Sequence, residues 1–431
     1  MSWINRILLS AAMAAVLLLS WFVVASMRPE DDRQLELIAQ ADAYIADEIY
    51  IRAIPLLQEA AGFNTQHTPA AETRLKMVYL AMIERRGYAR SYIELLEHQM
   101  GRKDAPPEVF FEAAYYYLDR SNLRDALDVL KRGAARTGDP GLIELYEQHR
   151  YAYTLSYNAY ENVTAMNGGM ISVQNAGLWG IADPRGQLMI PCEYEKISTY
   201  SADRAIVQKN GVVYAVNLDN NRLALLKEEA LDFGNLGSNR VPILTREGWK
   251  RASGELIMGS MVFEEIGMYT LGYVAAKQDG RWGVIDTDAG WLVPPEYDAI
   301  IMDELGRCFG QGNIFAVQGG QVYLFINGER QDEVFEDAMP FAAAEGYAAV
   351  KKNGLWGFID ATGTLRIDYS FEDALSFGQH LAAVRVGELW GYVSVSGNMA
   401  IEPAFPQAKS FSGGCAPVFT DRGWQFIMLV E

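Results

Sequence analysis

Gly354-Leu355-Trp356-Gly357-Phe358-Ile359-Asp360 is the stretch on which the reading of this chain turns. It returns as Gly-Leu-Trp-Gly-Ile-Ala-Asp over 177–183, as Gly-Arg-Trp-Gly-Val-Ile-Asp over 280–286, and as Glu-Leu-Trp-Gly-Tyr-Val-Ser over 388–394. The anchors are the pairs Trp179-Gly180, Trp282-Gly283, Trp356-Gly357 and Trp390-Gly391. Copies that keep the aromatic ring and lose the glycine fill the gaps at Tyr214, Trp249, Tyr323 and Trp424. The seven intervals between the eight anchors are 35, 35, 33, 41, 33, 34 and 34 residues, a period that marks a repeat architecture.

Working outward from the anchor, the units agree at several further positions. Six residues upstream the side chain is apolar in seven units, from Val173 to Val418, with Gln208 the exception. Fifteen residues downstream the four full motifs carry Tyr194, Tyr297, Phe371 and Phe405, and three of them carry a second ring at Tyr200, Phe377 and Phe411. Asn210-Gly211, Asp279-Gly280 and Asn353-Gly354, just ahead of the anchors, are hairpin turns by composition. A later turn glycine and a short apolar run follow, and three of those runs end in Pro191, Pro294 and Pro403. Proline cannot donate to a ladder, so each unit is predicted to hold three short strands, the third stopping there. No unit of this size buries its rings alone, so neighbours must stack.

This pattern resembles the WG-repeat family, named for the Trp-Gly pair, over residues 167–431. The resemblance implies a β-repeat array that serves as a binding or scaffold module, mostly in bacteria, and it brings no catalytic residue to transfer. Seven full units plus a two-strand remnant, Cys415 to Val430, suit a propeller-like ring whose termini share the closing blade. An open β-solenoid is the alternative.

Residues 31–166 read as helices, with apolar residues three and four apart and breaks near Gly62, Gly101–Pro107 and Thr137–Pro140. Two hairpins resemble tetratricopeptide repeats. Ala41 and Tyr44 are followed by Ala53, Leu57 and Ala60, and Ala114 and Tyr117 by Ala126, Leu130 and Gly133, at the same internal spacing. Small residues there let two helices approach closely. A hairpin over about 71–100 keeps the size but not the small residues, and Gly141 to Tyr160 is expected to form a capping helix. The resemblance implies a concave protein-binding surface; a plain helical bundle is the alternative.

Residues 1–30 contain an uncharged run, Ile7 to Met27, flanked by Arg6 and Arg28. About 20 apolar residues cross a bilayer as a helix, so the run is expected to be a transmembrane signal anchor. Cleavage near Ala25 would make the chain secreted instead. Arg6 on one side and Glu30-Asp31-Asp32 on the other would place the bulk of the chain outside the cytoplasm, at a cell membrane or envelope.

With 55 acidic and 37 basic residues the net charge is −18, which repels phosphate backbones and argues against nucleic acid. Cys192, Cys308 and Cys415 make no disulfide framework, and four histidines far apart in sequence offer little for a metal site. Asp286-Thr287-Asp288 has the start of a calcium loop without its distal ligands. The chain lacks a nucleophile elbow, a zinc-protease helix motif, a phosphate loop and a dinucleotide fingerprint. The expectation is therefore a multidomain α plus all-β protein, anchored in a membrane, without catalytic residues, cofactor or metal, that binds a protein partner. An envelope module binding polysaccharide on exposed rings is the first rival, and a hydrolase with two facing carboxylates the second.

Overall fold

The computed structural model describes residues 30–430 apart from 64, 86, 218–222, 226–229, 254–255, 289 and 343–344, with side chains undescribed over 256–259. The chain divides into two compact units, residues 1–149 and 150–431.

The first unit holds seven helices among the described residues: α1 (30–46), α2 (Tyr50–Ala61), α3 (Thr68–Ala81), α4 (Tyr88–Met100), α5 (Pro107–Leu118), α6 (Leu123–Thr137) and α7 (Pro140–His149). The repeat positions singled out above sit in its core: the small Ala41, Ala53, Ala60, Ala114 and Ala126, and Leu57 and Leu130 in the seams, are fully buried. At Gly133 a methyl group would come within 2.8 Å of the Phe110 side chain, so glycine sets the spacing of α5 and α6. Asp139 caps α7, its Oδ1 accepting from the amides of Gly141 (2.9 Å) and Leu142 (3.1 Å). That helix ends at His149, and the stretch to 160 expected to continue it contains the strand Tyr153–Leu155.

One expectation is corrected outright. No helix among the described residues is long and apolar enough to cross a membrane. Those after α1 run 10–15 residues and bury one face only, where a span needs about 20 apolar residues. The segment Ile7 to Met27 lies outside the described residues. The three-part, membrane-anchored architecture and the extracytoplasmic address drawn from it therefore have no support in the fold.

The second unit is a β-propeller of eight blades. Seven are four-stranded antiparallel sheets, in which a two-residue strand precedes the three that the repeat predicts. In the sixth blade these are Asp337–Ala338, Tyr347–Lys352, Leu355–Asp360 and Leu365–Phe371. The eighth blade closes the ring: Tyr153–Leu155, from the start of the unit, pairs with Gly423–Leu429, which pairs in turn with Cys415–Thr420. Ring closure thus decides between the propeller and the open solenoid, and it does so with the shared blade that the two-strand remnant requires.

The hairpin turns form as their sequences dictate. Asn353 (φ 54°) and Gly354 (φ 81°) both occupy the left-handed region, which Asn and Gly tolerate best. In several blades an acidic side chain just ahead of the short strand holds this turn. The Glu336 carboxylate accepts from the Gly354 amide at 2.9 Å, and Glu161, Glu195 and Glu264 do the same for Gly177, Gly211 and Gly280. Part of the acidic excess is therefore a repeated turn clamp rather than a merely solvated face.

Candidate functional site

The conserved-spacing anchors serve the blades. Trp179, Trp282, Trp356 and Trp390 lie directly across the ladder from Tyr194, Tyr297, Phe371 and Phe405. Immediately after each Trp the register shifts, so that one glycine faces a bulged segment of the third strand. A methyl group on Gly180, Gly283, Gly357 or Gly391 would stand 2.4, 2.5, 2.7 or 2.5 Å from a carbonyl oxygen of that strand. The Trp-Gly pair is a packing device: the ring covers the seam, and the glycine admits the bulge. Pro191 and Pro294 lie inside third strands that run on to the aromatic residue, in the bulge where no ladder amide is required.

The other singled-out residues are equally local. Asp286 Oδ1 accepts from the amides of Asp288 and Gly290, both at 2.8 Å, closing its own turn. Asp183 and Asp360 do the same in their blades. Cys192, Cys308 and Cys415 are free thiols, and burial pushes Cys308 and Cys415 up to about 12.

What the repeat pattern did not show is that three of its rings, Phe377, Trp390 and Phe411, also face the ring's centre. There a cavity of about 580 Å³ is lined by connections that follow the short strands, from Met166 of the first blade through Phe309, Phe341 and Phe377 to Phe411 of the eighth. The first and fifth blades stand on opposite sides of an eight-bladed ring, so a cavity touching both lies on the axis. Its most distinctive wall comes from the fifth blade. Between Ile300 and Gly310 that blade runs six residues longer than the seventh does between Ala374 and Gly378.

The surplus folds inward and is tied on several sides. Leu305 is 3% exposed and packs on Ala165 of the first blade and Met268 of the fourth. Its carbonyl accepts from Asn235 Nδ2 of the third blade at 3.0 Å, and Gly306's carbonyl accepts from the Met268 amide at 2.8 Å. Asp303 braces the loop from within, accepting from the amides of Leu305 (3.0 Å) and Arg307 (2.9 Å) and from Arg307 Nε at 2.5 Å. Glu304 forms an ion pair with Lys409 of the eighth blade, across the cavity. The only trace of this loop in the sequence is the 41-residue interval between Trp282 and Tyr323.

Five stretches of the propeller, residues 179–212, 282–304, 334–356, 356–390 and 390–424, match the WG containing repeat. Together they span less than half of the chain, and they establish that its C-terminal region is built of WG-containing β-repeats. No curated protein matches the chain. Among solved structures, the tricorn protease is similar at 13% identity and a TM-score of 0.25, over 52% of this chain and 28% of that one. A eukaryotic initiation factor is similar at 10% identity and 0.39, over 63% and 85%, and the WD40 domain of SCAP from fission yeast at 8% and 0.34, over 64% and 96%. This chain spans little more than a quarter of the tricorn protease. Likenesses at these scores carry no argument.

Proposed function

We propose that this protein is a non-catalytic scaffold that binds a protein partner through its WG-repeat propeller. The observation that carries this reading is the use of the recurring rings. Trp356 and Trp424 are buried at 3% and 7% exposure, and Trp179, Trp282 and Trp390 are half-buried against the third strand of their own blades. Rings engaged in this way do not form the row of exposed faces on which sugars stack, which favours a protein partner over polysaccharide. The buried small residues of α1/α2 and α5/α6 support a tetratricopeptide-like character for the helical unit, whose concave side would be a second protein-binding surface.

The test is capture of partners by the full chain immobilised natively, against the same chain denatured. Saturable retention of one defined protein, reproduced with the purified pair, is the expected result. Retention of polysaccharide alone, or turnover of a hydrolase substrate panel, would overturn the reading.

A further inference from the structure

We propose that the axial cavity is where the propeller receives a basic side chain, lysine or arginine, of its protein partner. The inference rests on the scaffold reading above and names the site and its chemistry.

Three observations converge on it. First, a repeat protein departs from its period at a cost, and a loop of extra length inside an otherwise regular domain usually has a role. Here the one long interval delivers its surplus residues to the cavity, where Asp303, Glu304 and Arg307 become part of the wall. Second, the charges there do not balance. Arg307 and Lys409 are engaged by Asp303 and Glu304, so the wall itself holds Glu345 and Asp373 as further carboxylates, the second met only from outside the cavity by Arg385 at 3.9 Å. A cavity walled by low-dielectric material focuses that excess field and attracts a cation. Third, the lining also has an apolar part, with Met302, Met339 and Leu375 beside the phenylalanines. Lysine and arginine carry an apolar stem below a cationic head, so one side chain matches both parts of the wall. The net charge of −18 steers a basic partner toward the molecule as a whole.

Glu345 and Asp373 have conservative replacements that keep their local bonds. Glu345 Oε1 accepts from the His380 amide at 2.8 Å, which glutamine also does. Asp373 Oδ1 accepts from the Ala374 amide at 3.0 Å, and Asn162 makes the same bond to Val163 in the first blade. The double variant E345Q/D373N therefore removes the charge and loses only the partly exposed Asp373–Arg385 pair (3.9 Å), and Glu345→Gln alone, which leaves that pair in place, provides a second reading.

The experiment titrates a fluorescent capped peptide, Arg-Leu-Lys-Leu-Arg, into the full chain at physiological salt, with its acidic counterpart as reference. E345Q/D373N is compared with E402Q/D421N, which makes the same change in net charge at two exposed positions outside the cavity. The expected result is at least about tenfold weaker binding for the cavity variant and less than about twofold for the surface control. Equal weakening in both, or none in either, would overturn the proposal, because the attraction would then belong to the general surface. A partner captured equally well by E345Q/D373N would overturn it too while leaving the scaffold role standing. Failure to capture any protein would remove the scaffold role, and the peptide titration would still read the cavity.

Discussion

Trp356 stands directly across the ladder from Phe371, and between that pair and the next, Phe358 with Ile367, the third strand carries two more residues than the second. The bulge brings the Ile367 carbonyl over Gly357, where a methyl group would approach it to 2.7 Å. In the blades without glycine, either the bulge is absent or the side chain at that position has room beside it. Ala215 pairs with Ala224 in an unbroken ladder, so no strand folds over it. Leu324 follows Tyr323 with the same offset, but its side chain finds room among Phe315, Phe335 and Ile359.

Gly357→Ala is accordingly expected to cost about 1–3 kcal/mol by overpacking against backbone that cannot rotate away. Ala215→Gly should cost only the roughly 0.5–1 kcal/mol of added backbone freedom. Chemical denaturation of the two variants checks this, and equal losses would refute the packing account.

Ring closure depends on a strand far from the repeats in sequence. Beyond the pairing of Tyr153–Leu155 with Gly423–Leu429, Ser156 donates its amide to the Phe426 carbonyl (2.8 Å) and Gln425 Nε2 donates to the Ser156 carbonyl (2.6 Å). A chain starting at 167 loses these bonds and the first blade's short strand, Asn162–Val163. It should melt about 10 °C or more below a chain starting at 150, since each kcal/mol is worth roughly 2–4 °C at this size. Coincident melting curves would mean that the closing strand contributes little.

Thiol chemistry separates the cysteines. Cys308 and Cys415 are fully buried with protonated thiols, whereas Cys192 is half-buried, with a smaller rise also caused first by burial. A thiol reagent at pH 8 should titrate at most one equivalent per native chain, at Cys192, and three after unfolding. Fast reaction of two thiols in the native state would contradict this arrangement.

Asp360 provides a pH signature. Burial by itself raises its carboxyl, but hydrogen bonds from the Thr362 hydroxyl, Arg366 and the Thr362 and Thr364 amides outweigh it and bring it down to about 2. A carboxylate depressed in the folded state adds stability that is fully present above its unfolded value near 3.8 and is lost as pH falls toward 2. Asp360→Asn should thus cost on the order of 1 kcal/mol at pH 7, allowing for solvent screening, and almost nothing near pH 2. Denaturation curves at the two pH values test it; a loss independent of pH would assign the effect to the turn's shape.

Much of the propeller was legible because its signals are local and recur. The Asn353-Gly354 turn follows from two residues able to adopt positive φ, and the ring fifteen residues after each of the four Trp-Gly anchors is its cross-strand partner. The short first strand was not legible, since a pair such as Asp337–Ala338 is below any periodicity. Nor was the acidic turn clamp, whose members lie 16 or 18 residues apart.

The sequence by itself determined the number of units, their anchors and their turns, because each depends on residues within one period of about 35. Only the tertiary structure decided how those units divide into blades. The stretch 356–390, one repeat in sequence, supplies the last two strands of the sixth blade and the first two of the seventh, and that stagger leaves an open end for Tyr153–Leu155 to fill. It also decided that six surplus residues after Ile300 turn inward rather than outward. Glu304 meets Lys409, and Leu305 meets Ala165 and Met268, only once the ring has brought the blades around one axis.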